Sequence, residues 1–182
     1  MKTVVLGARP PELQALIDHR QALGLDTYDE EWEGEYHMAP AAHSAHGYLD
    51  NVLAELLGPL ARTAGLVGVG PFNLGRPGDY RVPDRGYLRA PPRGVWLPTA
   101  AVVVEIVSPD DESFAKFGFY ARHRVDEILT VDSATRTVQW WARQPDESGY
   151  DEIGASTLLG LTATDLATDI DWPDIDWPDI DD

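Results

Sequence analysis

Apolar positions in this chain follow two rhythms, one helical and one alternating, that replace each other several times. Leu13, Leu16 and Ile17, behind Pro10 and Pro11, keep helical spacing and predict a short first helix. An acidic loop is expected next, then a strand over residues 31–38, broken by the proline and alanines that follow. From Ser44 the positions Leu49, Val52, Leu53, Leu56, Leu57 and Leu60 form a long amphipathic stripe, which predicts a helix ending near Gly65.

Residues 66–70 predict a short buried strand, 73–79 a Gly/Pro-rich turn, and 80–88 a strand that pairs with the first. Pro91, Pro92, Gly94 and Pro98 make 89–99 a loop. The run 101–107 is too apolar for a strand with one wet face and suits the centre of a sheet covered on both sides. Ser108 as a cap, Pro109 at the first helical position and Asp110 and Asp111 in the first turn predict a helix to about Arg124. Phe114, Phe117 and Ala121 are expected on its core-facing stripe, with Lys116 and Tyr120, four apart, on the adjoining face. Strands over 128–131 and 137–142, joined by a turn at 132–136, complete an α/β fold around one mixed sheet flanked by helices.

The end of the chain differs in kind. Ile170-Asp-Trp-Pro-Asp174 repeats at 175–179 and begins again at 180–182. A five-residue period with a proline in each unit fits neither a helix nor a central strand. One domain over 1–168, followed by an extended, mobile acidic tail over 169–182, is therefore expected.

Composition narrows the chemistry. With no cysteine, disulfides, thiolate metal sites and cysteine nucleophiles are excluded, leaving acids and histidines as metal ligands. No apolar run approaches the roughly 20 residues of a membrane helix, and no signal segment precedes Gly7, so a cytoplasmic protein without membrane attachment is the expectation. The net charge of −17 argues at first against nucleic acid. Its distribution changes that view: Arg76, Arg81, Arg85, Arg89, Arg93, Lys116, Arg122 and Arg124 form a locally basic strip on an acidic chain. DNA is compatible with such a strip.

Glu105 sits inside the apolar run, where an unpaired carboxylate would cost on the order of several kcal/mol, so something must bind it. Asp84, behind Val82 and Pro83, and Lys116 complete a set of two acids and one cation that points to a divalent ion and a nucleophilic water. In that reading Asp84 and Glu105 hold Mg²⁺ or Mn²⁺, and Lys116 positions the water or stabilises charge on phosphate. Glu35 and His46 are candidates for a third ligand or a substrate contact. Each has a plainer alternative. Glu112, four residues before Lys116, offers that lysine a surface ion pair, and Glu35 lies in a run of acids. The spacing of His37, His43 and His46 matches no zinc hydrolase. Gly68, Gly70, Gly75 and Gly78 lack the Gly-Lys-Ser/Thr of a phosphate loop and read as turn glycines. Arg81, Arg85 and Arg89 are either phosphate contacts or ordinary loop charges.

Taken in order, Gly34-Glu35, Met38-Ala-Pro, His46-Gly47, Val82-Pro-Asp84, Val104-Glu105-Ile-Val-Ser108-Pro109, Lys116 with Tyr120 four later, and residues 128–132 carry a resemblance. Over about residues 27–145 the chain resembles the Uma2-type (DUF820) restriction endonuclease family, which is similar to the PD-(D/E)XK nuclease superfamily. The resemblance implies a restriction-endonuclease-like core and a Mg²⁺-dependent DNA endonuclease activity. A homodimer is a separate expectation from geometry, since a nuclease domain of this size often needs two copies to cut both strands. Asp84 matches the family's proline-aspartate motif, Glu105 its glutamate-hydrophobic-hydrophobic-serine-proline motif, and Lys116 a lysine on the following helix, with Tyr120 beside it. The superfamily's usual lysine, two residues after the second acid, is Val107 here, so Lys116 must substitute from the helix. The rival expectation is a nuclease-fold binding or regulatory protein that has lost its chemistry and whose acidic tail imitates DNA.

Overall fold

A computed structural model describes residues 3–5, 9–39, 43–108, 112–146 and 148–174. Strand β1 (Thr3–Val5) leads into helix α1 (Pro11–Ala22), then strands β2 (Glu30–Trp32) and β3 (Glu35–Met38) and the long helix α2 (Ser44–Thr63). Four short strands follow, β4 (Val67–Val69), β5 (Asn73–Arg76), β6 (Asp79–Arg81) and β7 (Arg85–Leu88), and then the two-residue β8 (Trp96–Leu97). Strand β9 (Val102–Val107) precedes a single 3₁₀ turn, Ser113–Lys116, that runs into α3 (Phe117–Arg122). Strands β10 (Glu127–Asp132), β11 (Thr137–Arg143) and β12 (Tyr150–Ile153) and helix α4 (Ala163–Asp169) complete the order.

Among the described residues the strands form two six-stranded sheets rather than the single sheet expected from sequence. The first runs β1-β3-β2-β6-β5-β8, and the second, larger in residues, runs β12-β11-β10-β9-β7-β4. Both are mixed: β5 and β8 are parallel in the first, β9 and β10 in the second. The predicted strand over 31–38 is a hairpin, β2 and β3, turning at Glu33 and Gly34 with φ of 51° and 91°. Two positive φ values in a two-residue loop define the turn whose twist suits a hairpin, and the second falls on a glycine. The predicted turn over 73–79 contains β5 and pairs back on β6.

The predicted strand over 80–88 divides at Val82, Pro83 and Asp84. Its first part, β6, belongs to one sheet and its second, β7, to the other. Pro83 has no amide hydrogen for a ladder, so the chain leaves one sheet there and enters the next. Asp84 is thereby placed at the crossing.

Strand β9 is central and buried on both faces, as its composition predicts. Val102, Val104 and Ile106 face Leu49, Leu53 and Leu57 of α2 and Leu166 of α4. Val103 faces the other way, toward Leu74, Phe119 and Tyr120. Alternation along the strand puts Glu105 on this second side, between the sheet and α3.

The predicted helix over 108–124 is shorter and tighter at its start. Residues 109–111 lie outside the described residues, and the described part begins as the 3₁₀ turn. The core stripe also shifts: Phe114 is half exposed, whereas Lys116, Phe119, Tyr120 and Ala121 are buried. The first unit of the terminal repeat lies against the domain. Ile170 is buried with Leu166, Asp171 accepts a hydrogen bond from the Tyr48 hydroxyl at 2.8 Å, Trp172 donates to the Ala167 carbonyl at 2.9 Å, and Asp174 pairs with Arg136 at 3.0 Å. The second unit and the residues after it are outside the described residues.

Candidate active site

Three residues on the segment after β9 converge on Glu105. Lys116 Nζ lies 3.1 Å from Glu105 Oε2 and 3.3 Å from Oε1, the Ser113 hydroxyl donates to Oε2 at 3.3 Å, and the Tyr120 hydroxyl donates to Oε1. Their local geometry explains the convergence. In a 3₁₀ turn residues three apart eclipse, so Ser113 and Lys116 line one edge. Tyr120, one α-helical turn further, continues that edge. A lysine that could have sat in a surface pair with Glu112 is instead buried against Glu105.

Asp84 reaches the same place from the crossing between sheets. Its neighbour Arg85 is the register partner of Val104, and Asp84 Oδ2 accepts the amide of Ile106, next to Glu105, at 2.7 Å. His46, in the first turn of α2, brings Nε2 to 3.2 Å from Asp84 Oδ1. The Asp84 and His46 side chains keep 15% and 21% of their surface exposed against 3% for Glu105, so Glu105 is the floor and Asp84 and His46 are the rim.

Sequence reasoning missed Glu30. On β2 it lies 2.9 Å from Lys116 Nζ, accepts the Val82 amide at 2.9 Å, and accepts Trp32 Nε1 at 2.6 Å. Within a run of acids it looked like part of a solvated loop. The run in fact turns inward: Asp29 is also buried, bonded by Arg20, the Tyr36 hydroxyl at 2.9 Å and the Ala39 amide at 2.8 Å. The available signal was alternation, which pairs Glu30 with the bulky Trp32 on one face of a strand.

Charge in the cluster is unbalanced: three carboxylates face one ammonium. Burial pushes the Glu105 carboxyl up to about 8, against the pull of Lys116 and helped by the negative charges of Asp84 and Glu30. Burial disfavours the Lys116 ammonium, but Glu105, Glu30 and Asp84 together outweigh it and hold the lysine charged, above its ordinary range. Burial, with the Glu105 carboxylate next to it, keeps the Tyr120 hydroxyl protonated well beyond the usual phenol range.

The other expected residues lie elsewhere. Glu35 is exposed on β3 and lines a separate cavity of about 390 Å³ with Trp32, Glu33, Arg81, Phe119 and Arg122. Arg81 is buried, its guanidinium 4.3 Å from the Trp32 ring centre and 4.2 Å from that of Phe119, bonded to the Glu31 and Tyr80 carbonyls at 3.0 Å. Arg85 forms a two-pronged pair with Asp50, both bonds 2.8 Å. Arg89 meets Asp126 at 2.6 Å and remains largely exposed.

Among the described residues no group of three or more histidines and acids forms a ready-made metal cage. The donor set still fits a hard divalent cation, because such ions are commonly held by one or two carboxylates and complete their shell with water and substrate phosphate oxygens. Asp84 and Glu105 are the two carboxylates in question.

The family described as Uma2, "Putative restriction endonuclease", matches residues 23–168. Among solved structures, that of "a putative nuclease belonging to DUF820 from Anabaena variabilis" superposes with a TM-score of 0.63 at 15% identity, over 78% of this chain and 90% of that one. At that identity the likeness bears on the fold, which is restriction-endonuclease-like. No curated protein matches. The family match runs from before β2 into α4 and takes in the crossing at Asp84, the central strand with Glu105 and the turn with Lys116, so the chain belongs to the Uma2 family.

Proposed function

We propose that the protein is a Mg²⁺- or Mn²⁺-dependent DNA endonuclease whose reacting centre is Asp84, Glu105 and Lys116. The observation that carries the reading is the buried Glu105 carboxylate beside a charged Lys116, 3.1 Å away, with Asp84 on the neighbouring backbone amide. The chemistry a bound Mg²⁺ supplies is charge neutralisation on the phosphate and a water acidic enough to attack it. The chain's own residues do the rest. Asp84 and Glu105 offer the carboxylate oxygens, and the Ile106 amide, Ser113 and Tyr120 fix their direction. Lys116 brings a compact positive charge to the negative charge that builds on the phosphoryl oxygens as the water adds and the scissile P–O ester bond breaks. His46 steadies Asp84 from the accessible side.

The family's description as a restriction endonuclease supports a DNA substrate, whose phosphates would approach from the rim formed by Asp84 and His46. The competing reading, a nuclease fold kept for binding alone, gains support from Val107 at the usual lysine position. One assay separates them: cleavage of supercoiled plasmid by the wild type, Asp84→Ala and Glu105→Ala, with EDTA, Mg²⁺ or Mn²⁺. The endonuclease reading expects metal-dependent nicking by the wild type and none by either variant. Equal activity in all three proteins, or an intact plasmid with every metal, contradicts it.

A further inference from the structure

The 3₁₀ turn sets which edge Lys116 leaves from, but its ammonium sits at the end of a flexible four-carbon stem whose last position the backbone does not fix. Two carboxylates meet its ammonium from opposite sheets: Glu105 on β9 at 3.1 Å and Glu30 on β2 at 2.9 Å. Glu30 is itself held. It is buried, one oxygen accepts the Val82 amide at 2.9 Å, and the other accepts Trp32 Nε1 at 2.6 Å. Val82 stands two residues before Asp84, so a single oxygen of Glu30 contacts both the lysine and the start of the segment that delivers Asp84.

We propose that Glu30 is the positioning residue for Lys116, a role that rests on the endonuclease reading and names what aims its lysine. Glu30 touches neither phosphate nor water in this account and acts through the ammonium. Position 107 is valine, so the cation comes from the helical segment, and the Glu30 carboxylate on the first sheet fixes where that ammonium sits.

The test compares wild type and Glu30→Gln, which keeps an oxygen for the Val82 amide and removes the charge that holds the ammonium. Nitrogen-15 NMR of lysine side chains, with Lys116→Met to assign the signal, reads the ammonium directly. A slowly exchanging Lys116 signal is expected in the wild type and its broadening or loss in Glu30→Gln. In plasmid cleavage kcat should fall by about tenfold to a hundredfold, with KM for DNA and the Mg²⁺ requirement unchanged. Trp32→Phe, which removes the indole donor to Glu30 and trims the ring that Arg81 and His37 pack on, should move both readouts the same way by less, and it serves where Glu30→Gln fails to fold. An unchanged Lys116 signal in a folded variant overturns the proposal, as does a rate loss recovered at high Mg²⁺, which would make Glu30 an ion ligand. If the wild type cuts no DNA, the endonuclease reading fails, while the ammonium signal still decides the role of Glu30.

Discussion

A carboxylate at the centre of a sheet must be met by donors, and Glu105 is met by Lys116, Tyr120 and Ser113. Its pH behaviour follows from what those donors do not offset. The carboxyl titrates near 8 when folded, against an ordinary value of 4.5, because burial and the charges of Asp84 and Glu30 favour the proton. Between those values the folded state binds more protons than the unfolded one, so the group's contribution is complete below 4.5 and is lost as pH rises through 8. In urea denaturation with EDTA, the wild type should therefore lose stability as pH rises from 4.5 to about 8 relative to Glu105→Gln, an analogue of the protonated form. Parallel pH profiles for the two proteins would contradict this. Glu105 was legible in the sequence because its neighbours are all apolar, and Tyr120 because it follows Lys116 by one helical turn. Glu30 was not, since Asp29, Glu30 and Glu31 look alike and the partners of Glu30, Lys116 and Val82, are far along the chain.

Elements with a strong periodic stripe were read correctly, and those defined by partners were not. Helix α2 and strand β9 stand where Leu49, Leu53 and Leu57 and the run of valines place them. The stretch 80–88 alternates well throughout, yet Pro83 divides it between two sheets, a choice fixed by β2 and β5 on one side and β4 and β9 on the other. The 3₁₀ start of the α3 segment has the same origin: it brings Ser113 and Lys116 onto one carboxylate, a tertiary contact that local propensity does not record. Ile170 gives a further test at this scale. Its side chain is 4% exposed and packs with Leu166, so Ile170→Ala should cost about 2–4 kcal/mol in chemical denaturation. A change within about 0.5 kcal/mol, typical of a surface position, would show that the first repeat unit contributes nothing to the fold.

Across the whole molecule the candidate centre lies where two sheets and one helical segment meet. The first sheet provides Glu30, the crossing provides Asp84, the second sheet provides Glu105, and the segment after it provides Lys116. Order and spacing of the motifs gave away the family, whereas the first sheet stayed hidden because its short strands carry Gly and Pro signals that also mark turns. With Arg85 tied to Asp50 and Arg89 to Asp126, Lys116 is the cation that meets Glu105 and Glu30 in the proposed centre. Lys116 is consequently the residue on which the function turns. The most direct test is the single-turnover rate of plasmid nicking at saturating Mg²⁺ and enzyme, wild type against Lys116→Met, with both proteins shown to be folded. The account predicts metal-dependent nicking by the wild type and a rate about 10²–10³-fold lower in the variant, the effect of removing one preorganised group that stabilises transition-state charge. A variant that nicks at the wild-type rate, or a wild type that leaves the plasmid intact, would contradict it.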